Sequence, residues 1–206
     1  MEINKRLKNQ RATKNNISEN KSNASLDKRT IAKKFRELAN NAQKTLGTKE
    51  SIRFFREKLV RRKVDHDQLM KNYKTASTPK VGSMLVYNYN PKWKDKLPYY
   101  DLNPCIILLD YTKDGWYGAN MHYLPPTLRA DLLLDIGWNK SASLNNIQKS
   151  LEKNSLTKIC LKRYLRSQLN SRIKIINRED WEIIIQLPFD AFVNESRGRI
   201  WRKARK

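Results

Sequence analysis

Between Lys92 and Tyr100 the chain reads KWKDKLPYY, three aromatic rings among three lysines. Aromatic rings stack on exposed nucleobases whatever their sequence, and neighbouring ammonium groups take phosphate. Trp93 with Lys92, Lys94 and Lys96 is therefore a candidate stacking platform for a duplex end. Tyr99 and Tyr100 are expected either to join it or to pack beneath the loop. Other chemistry-bearing residues are weaker candidates. Asp65-His66-Asp67 are adjacent rather than grouped on one helical face, so they read as a helix surface and not as metal ligands. His122 sits between Met121 and Tyr123 in an apolar run and reads as a core or edge histidine, with no nucleophile elbow near it. Asp101, Asp110 and Asp114 are close in sequence but form no evident set of carboxylates converging on a metal ion and its water. Six glycines offer neither a P-loop nor a dinucleotide turn. No catalytic residue, metal ligand or cofactor is expected, and the chain is read as a non-enzyme.

Charge points the same way. The 206 residues carry a net charge of +23, unevenly spread. Residues 1–80 hold 22 Lys/Arg against 8 Asp/Glu, residues 81–196 hold 15 against 12, and residues 197–206 hold 6 against none. A nearly neutral centre between basic ends suits a polyanion, because each neutralised phosphate releases counterions. The candidate DNA contacts are Arg53, Arg56, Lys58, Arg61, Arg62 and Lys63 near the N-terminus, and Lys92, Trp93, Lys94 and Lys96 in the loop. Lys162, Arg163 and Arg166 follow, then Arg199, Arg202 and Lys203. The expected partner is double-stranded DNA, its ends in particular. Cys105 and Cys160 lie in apolar contexts without a CxxC partner and are expected reduced and buried. There is no signal-peptide pattern and no run approaching the roughly 20 apolar residues that span a bilayer, so a soluble, non-membrane protein is expected.

These residues need elements to hold them. Residues 1–25 are polar and basic and are expected to be a disordered arm. Ile31, Phe35, Leu38, Ala42 and Leu46 recur at helical spacing, Thr48 can cap a second helix, and 65–73 can form a third. Residues 26–80 thus read as a basic helical extension ending in a linker at 74–80. Strands are expected at Met84–Tyr89, Cys105–Tyr111 and Trp116–Tyr123, the last two joined at Asp114-Gly115. Pro125-Pro126 stops the strand and opens a helix. Helices are expected at 128–136, from Ser143 to 151 and at 156–169, then strands at 172–176 and 181–187. A helical turn at 190–196 and a basic tail over 197–206 complete the chain. Five short strands make a weak open sheet, so the expected fold is α+β: a small SH3-like β-barrel in residues 81–196, with a helical insertion at 126–170. A four- or five-stranded sheet covered by helices is the alternative.

The segment GSM-x-x-Y-x-Y-x-P-K, then K-D-x-LPYYD-x-x-P, then DG-x-x-G-x-N-x-HYLPP-x-x-R-x-x-LL resembles the DNA end protectors of T4-like tailed bacteriophages. Its residues here include Gly82, Met84, Tyr87, Tyr89, Pro91, Lys92, Lys96, Tyr99, Tyr100, Asp101, Gly115, Asn120, His122, Tyr123, Pro126 and Arg129. The resemblance spans about residues 81–196. It implies a late-acting virion protein, made in the host cytoplasm and placed inside the head, that binds the ends of the packaged genome and shields them from host exonuclease. Portal or neck proteins are the candidate protein partners. It implies no residue-level DNA contact. Two other readings stand beside it: a head-completion or neck protein docking at the portal, and a phage DNA-processing nuclease.

Overall fold

Strand β2 (Met84–Val86) shows how the centre is made. Met84 and Val86 enter one apolar cluster, while Leu85, and Tyr87 beyond it, enter a second. This is the two-residue period of a strand buried on both faces. The computed structural model describes residues 37, 39–45, 48–59, 66–138 and 142–205. In it β2 pairs antiparallel with β4 (Cys105–Thr112) on one edge and with β7 (Lys174–Ile175) on the other. With β1 (Lys74–Thr75), β5 (Gly115–Asn120) and β6 (Leu161–Leu165) the sheet runs β1-β7-β2-β4-β5-β6. Two further strands, β3 (Tyr100–Asp101) and β8 (Phe192–Val193), pair only with each other.

The larger cluster lies between the sheet and the helices. Leu132 and Leu133 of α3 (Pro126–Asp135), Ile147 and Leu151 of α4 (Leu144–Lys153), and Cys160 of α5 (Ser155–Cys160) enter it. So does Phe55 of α1 (Lys49–Leu59), a helix tied to Glu182 by the Ser51 hydroxyl. Leu69 and Met70 of α2 (His66–Lys71) join them. Two helix starts follow the sequence signals. Proline occupies the first turn of α3, and the Ser143 side chain accepts from the backbone N–H of Asn146. Gly137, at φ 64°, ends α3 in the left-handed conformation glycine allows.

The second cluster is aromatic. Tyr87 meets Trp116 and Tyr164 edge-to-face at 5.7 and 5.6 Å, and Tyr89 meets Tyr164 at 5.0 Å. The Trp116 indole N–H donates to the Tyr87 hydroxyl. One isolated antiparallel bridge, Tyr89 to Leu169, curls the sheet around this cluster.

Several expectations are corrected. The sheet is not closed into a barrel, so the SH3-like barrel of five strands does not form. A 3-10 turn at Arg166–Gln168 stops β6 before it can run along β2, and only the single bridge remains. Residues 161–165, expected as helix, are strand: pairing with β5 from Ala119 to Gly115 overrides the helical spacing of Tyr164 and Leu165. Residues 181–187, expected as strand, begin with helix α6 (Trp181–Ile184). A short apolar run buried all round looks alike in either state. Residues 190–196, expected as a helical turn, contain β8. Lys74 and Thr75, expected as linker, are β1. Residues 121–123 leave the strand as a 3-10 turn, capped by the Asn120 side chain. The hairpin itself forms one residue earlier than expected: Thr112 pairs with Gly115, so Lys113 and Asp114 make the turn. Gly115 serves instead to let β6 approach, since a Cβ there would lie 1.8 Å from the Tyr164 carbonyl oxygen. Residues 197–203, within the expected basic tail, form α7 (Arg197–Lys203). The expected arm at 1–25 and most of the first helix lie outside the described residues. Among the described residues no helix is long and apolar enough to cross a membrane.

Candidate nucleic-acid interface

The aromatic loop and the basic edge strand meet. Lys92, Trp93, Tyr99 and Tyr100 from the loop, Tyr123 after β5, and Lys162 and Arg163 from β6 line a half-open cavity of about 410 Å³. Each wall has a local cause. The loop turns back at Trp93, whose carbonyl accepts from the N–H groups of Lys96 and Leu97 at 2.9 and 3.0 Å. That turn leaves the Trp93 ring 56 % exposed. Tyr100 and Asp101 are held by pairing with Val193 and Phe192. Phe192 in turn packs edge-to-face on Tyr123 at 5.2 Å, and Tyr99 lies 5.9 Å from Tyr123.

Cations sit on these rings. The ammonium groups of Lys92 and Lys96 lie 5.1 and 5.2 Å from the Trp93 ring. Lys162 Nζ is 4.3 Å from Tyr123, and Lys203 Nζ is 4.6 Å from Tyr99. Such contacts are worth about 0.5–1 kcal/mol where exposed. They pre-position charge beside stacking faces without locking it in ion pairs. Burial lowers the Lys162 pKa, with the Cys160 side chain acting weakly against it. Lys203 arrives from α7, which is seated by buried Ile200 and by the Trp201 indole N–H donating to the His122 carbonyl at 2.9 Å. Arg129 and Arg197 lie 5.3 and 5.5 Å from the Trp201 ring. Arg129 is itself buried, donating to the carbonyls of Leu124 and Ile185 at 2.7 and 2.8 Å, and burial pushes its pKa down to about 10.

Beneath the cavity lies a polar knot. Asp101 Oδ2 accepts from His122 Nδ1 at 2.7 Å and from the Asn120 amide at 3.3 Å, while Oδ1 accepts from the backbone N–H groups of Asn103 and Ala191, both at 3.0 Å. Burial pushes the Asp101 carboxyl up, but the His122 ring and the two N–H donors outweigh it and hold the carboxyl below its ordinary value. His122 is wholly buried, matching the core reading of that residue. The Asp101–His122 pair fastens β3 and β8 to the end of β5.

The remaining candidates are placed as follows. Arg163 grips the Asp114 carboxylate with contacts of 2.7 and 3.0 Å, so its charge is partly spent. Arg166 lines a separate cavity of about 340 Å³ with Trp116 and Arg172. Lys94 is exposed on the loop. Arg53 pairs with Glu57 one turn along α1, Arg56 is half-buried there, and Lys58 lies 6.0 Å from the Phe54 ring. Arg199 lies 3.8 Å from Glu195, and Arg202 is exposed on α7. Arg61, Arg62 and Lys63 lie outside the described residues. Thus Lys92, Trp93, Lys96, Lys162, Arg163 and Lys203 converge, and Arg53, Arg56 and Lys58 belong to α1. Sequence reasoning missed Tyr123 as a wall and Arg172 and Arg197 as flanking cations. The Tyr-Leu-Pro-Pro stop after β5 was the one local signal for Tyr123. Asp110 is exposed and accepts from the N–H of Tyr111, so Asp101, Asp110 and Asp114 do separate work. Among the described residues no group of three His, Cys, Asp or Glu could hold a metal ion.

No curated protein and no solved structure matches the chain significantly. A family does: the one described as phage T4 terminal DNA protecting protein matches residues 1–205, and the chain that builds this lysine-rimmed aromatic cavity belongs to that family.

Proposed function

We propose that this chain binds the ends of linear double-stranded DNA and shields them from host exonuclease, acting on the packaged phage genome inside the filled head. The observation that carries the reading is Trp93, an exposed ring with two lysine ammonium groups over it, lining a cavity together with tyrosines. A duplex interior presents only groove edges and phosphates, whereas an end also presents a base face, which an aromatic ring can cover. The net charge of +23 supplies affinity for phosphate whatever the sequence. Family membership supports protection as the outcome. A terminus covered in this way offers an exonuclease no free nucleotide to engage. In the head, portal or neck proteins are the proposed neighbours.

The test is digestion of linear duplex by a processive exonuclease, with and without the protein. Degradation should stop at the termini at protein-to-end ratios near one. An absence of protection, or protection extending equally to an internal endonuclease site, overturns the reading.

A further inference from the structure

We propose that the cavity seats one unpaired nucleotide at the terminus, so that the preferred ligand is a frayed or overhanging end rather than a blunt one. This rests on the end-binding reading above. The first argument is size. About 410 Å³ falls near the lower end of the roughly 300–1,000 Å³ of small-molecule sites. One base with its sugar and phosphate suits that space, but a base pair, with two sugars and two backbones, does not. The second is the lining. Trp93 and the half-buried Tyr99 and Tyr100 all line one half-open space, where a blunt end needs a single flat platform.

The third argument is Lys162. Its ammonium lies over Tyr123 on the cavity wall, half-buried, and among the described residues no carboxylate is within ion-pair reach. A partly desolvated cation without a counter-charge is costly, and a backbone phosphate entering with the nucleotide supplies one. The nearest acid of the lining cannot. Both Asp101 oxygens are already engaged by four donors. Lys203, over Tyr99 and free of any described ion pair, offers a second ammonium for the adjoining phosphate. The cavity is thus aromatic inside and cationic at its rim, the pattern of a single-strand site.

The experiment is competition binding of the full chain to four DNAs of equal length: closed circular, blunt linear, and linear with a short 3′ or 5′ overhang. An overhang of at least one polarity should bind about 5- to 150-fold more tightly than the blunt end, the range for stacking one base. Lys162→Met should cost the overhanging duplex more than the blunt one, and Lys162→Arg should restore part of the difference. In the unaltered protein, 2-aminopurine at the unpaired position should lose emission on binding as it enters the ring stack. Equal affinity for blunt and overhanging ends, both above closed circular DNA, overturns the nucleotide seat and leaves end binding standing. Equal affinity for all four overturns both. Unquenched 2-aminopurine at saturation also sinks the proposal, independently of any variant.

Discussion

Asp101→Asn is the sharpest test of how the cavity is held. The substitution keeps the shape of the side chain and removes its charge. One amide oxygen can still accept from the N–H groups of Asn103 and Ala191, but the new NH₂ faces His122 Nδ1 and the Asn120 amide, which both donated to the carboxylate. Each buried donor left without its acceptor costs about 1–3 kcal/mol, so the two orphaned here cost about 2–6 kcal/mol together. The two bonds that survive place this variant near the lower end, about 3 kcal/mol. A unit of this size loses about 2–4 °C of Tm per kcal/mol, so the melting temperature should fall by about 6–12 °C at pH 7. The pH dependence has a fixed sign. The folded carboxyl lies below its unfolded value, so its contribution is complete above about pH 4 and is lost as pH falls through the folded value. The gap between wild type and variant should therefore narrow in acid. The assay is thermal unfolding followed by circular dichroism from pH 7 down to pH 3. A variant melting with the wild type at pH 7, or a gap that widens in acid, refutes the reasoning.

Trp93→Ala should leave the melt almost unchanged, because the ring is mostly exposed, while weakening binding to linear DNA by about 1–3 kcal/mol and sparing closed circular DNA; equal losses on both forms would mean that the loop touches backbone generally. Deleting residues 1–36, with 11 Lys/Arg and 3 Asp/Glu, spares α1 and should flatten the salt dependence of duplex binding by about 0.9 in log–log slope for each phosphate that the arm neutralises. A full slope after the deletion assigns phosphate neutralisation to the residues from 37 onward, those of α1, the cavity rim and α7 among them. Gly115→Ala drives a methyl group against the Tyr164 carbonyl oxygen, which is backbone and cannot swing aside, so the urea midpoint should drop by the equivalent of about 1–3 kcal/mol. Gly198→Ala, where an added Cβ would meet nothing within 4 Å, is the matched control and should be neutral or mildly stabilising.

Local signals were legible where one residue's chemistry decides the matter. Proline opens α3, Ser143 caps α4, Gly137 closes α3, and the Asp114-Gly115 pair marks the β4–β5 hairpin, although the turn sits one residue earlier. Misreadings fall where tertiary pairing chooses between two states that the local sequence allows equally. Leu161–Leu165 fits a helix until β5 offers it an edge, and the 181–187 run is buried at every position, so no period separates helix from strand. The site was legible by residue type and not by assembly. Trp93 and its lysines announce themselves, but nothing local brings Lys162 or Lys203 to the same tyrosines. Lys203 comes from an element 104 positions beyond Tyr99, seated by a tryptophan that donates to a main-chain carbonyl.

The place of β7 in the sheet bears on how the molecule reaches this state. Leu85 and Ile175, direct partners across that junction, are 90 residues apart in the chain. Closing a loop of that length costs roughly 4 kcal/mol of chain entropy beyond the constant for any closure, and only two residues of ladder are there to repay it directly. The β4–β5 hairpin has no such handicap, since its strands adjoin in sequence. Assembly should thus be ordered in time, with the hairpin forming early and β7 slotting between β1 and β2 only after the intervening helices have condensed on the sheet. Until it does, β1 has no partner and one edge of β2 stands open to any other extended chain. During that interval a newly made molecule is most exposed to mispairing with its neighbours.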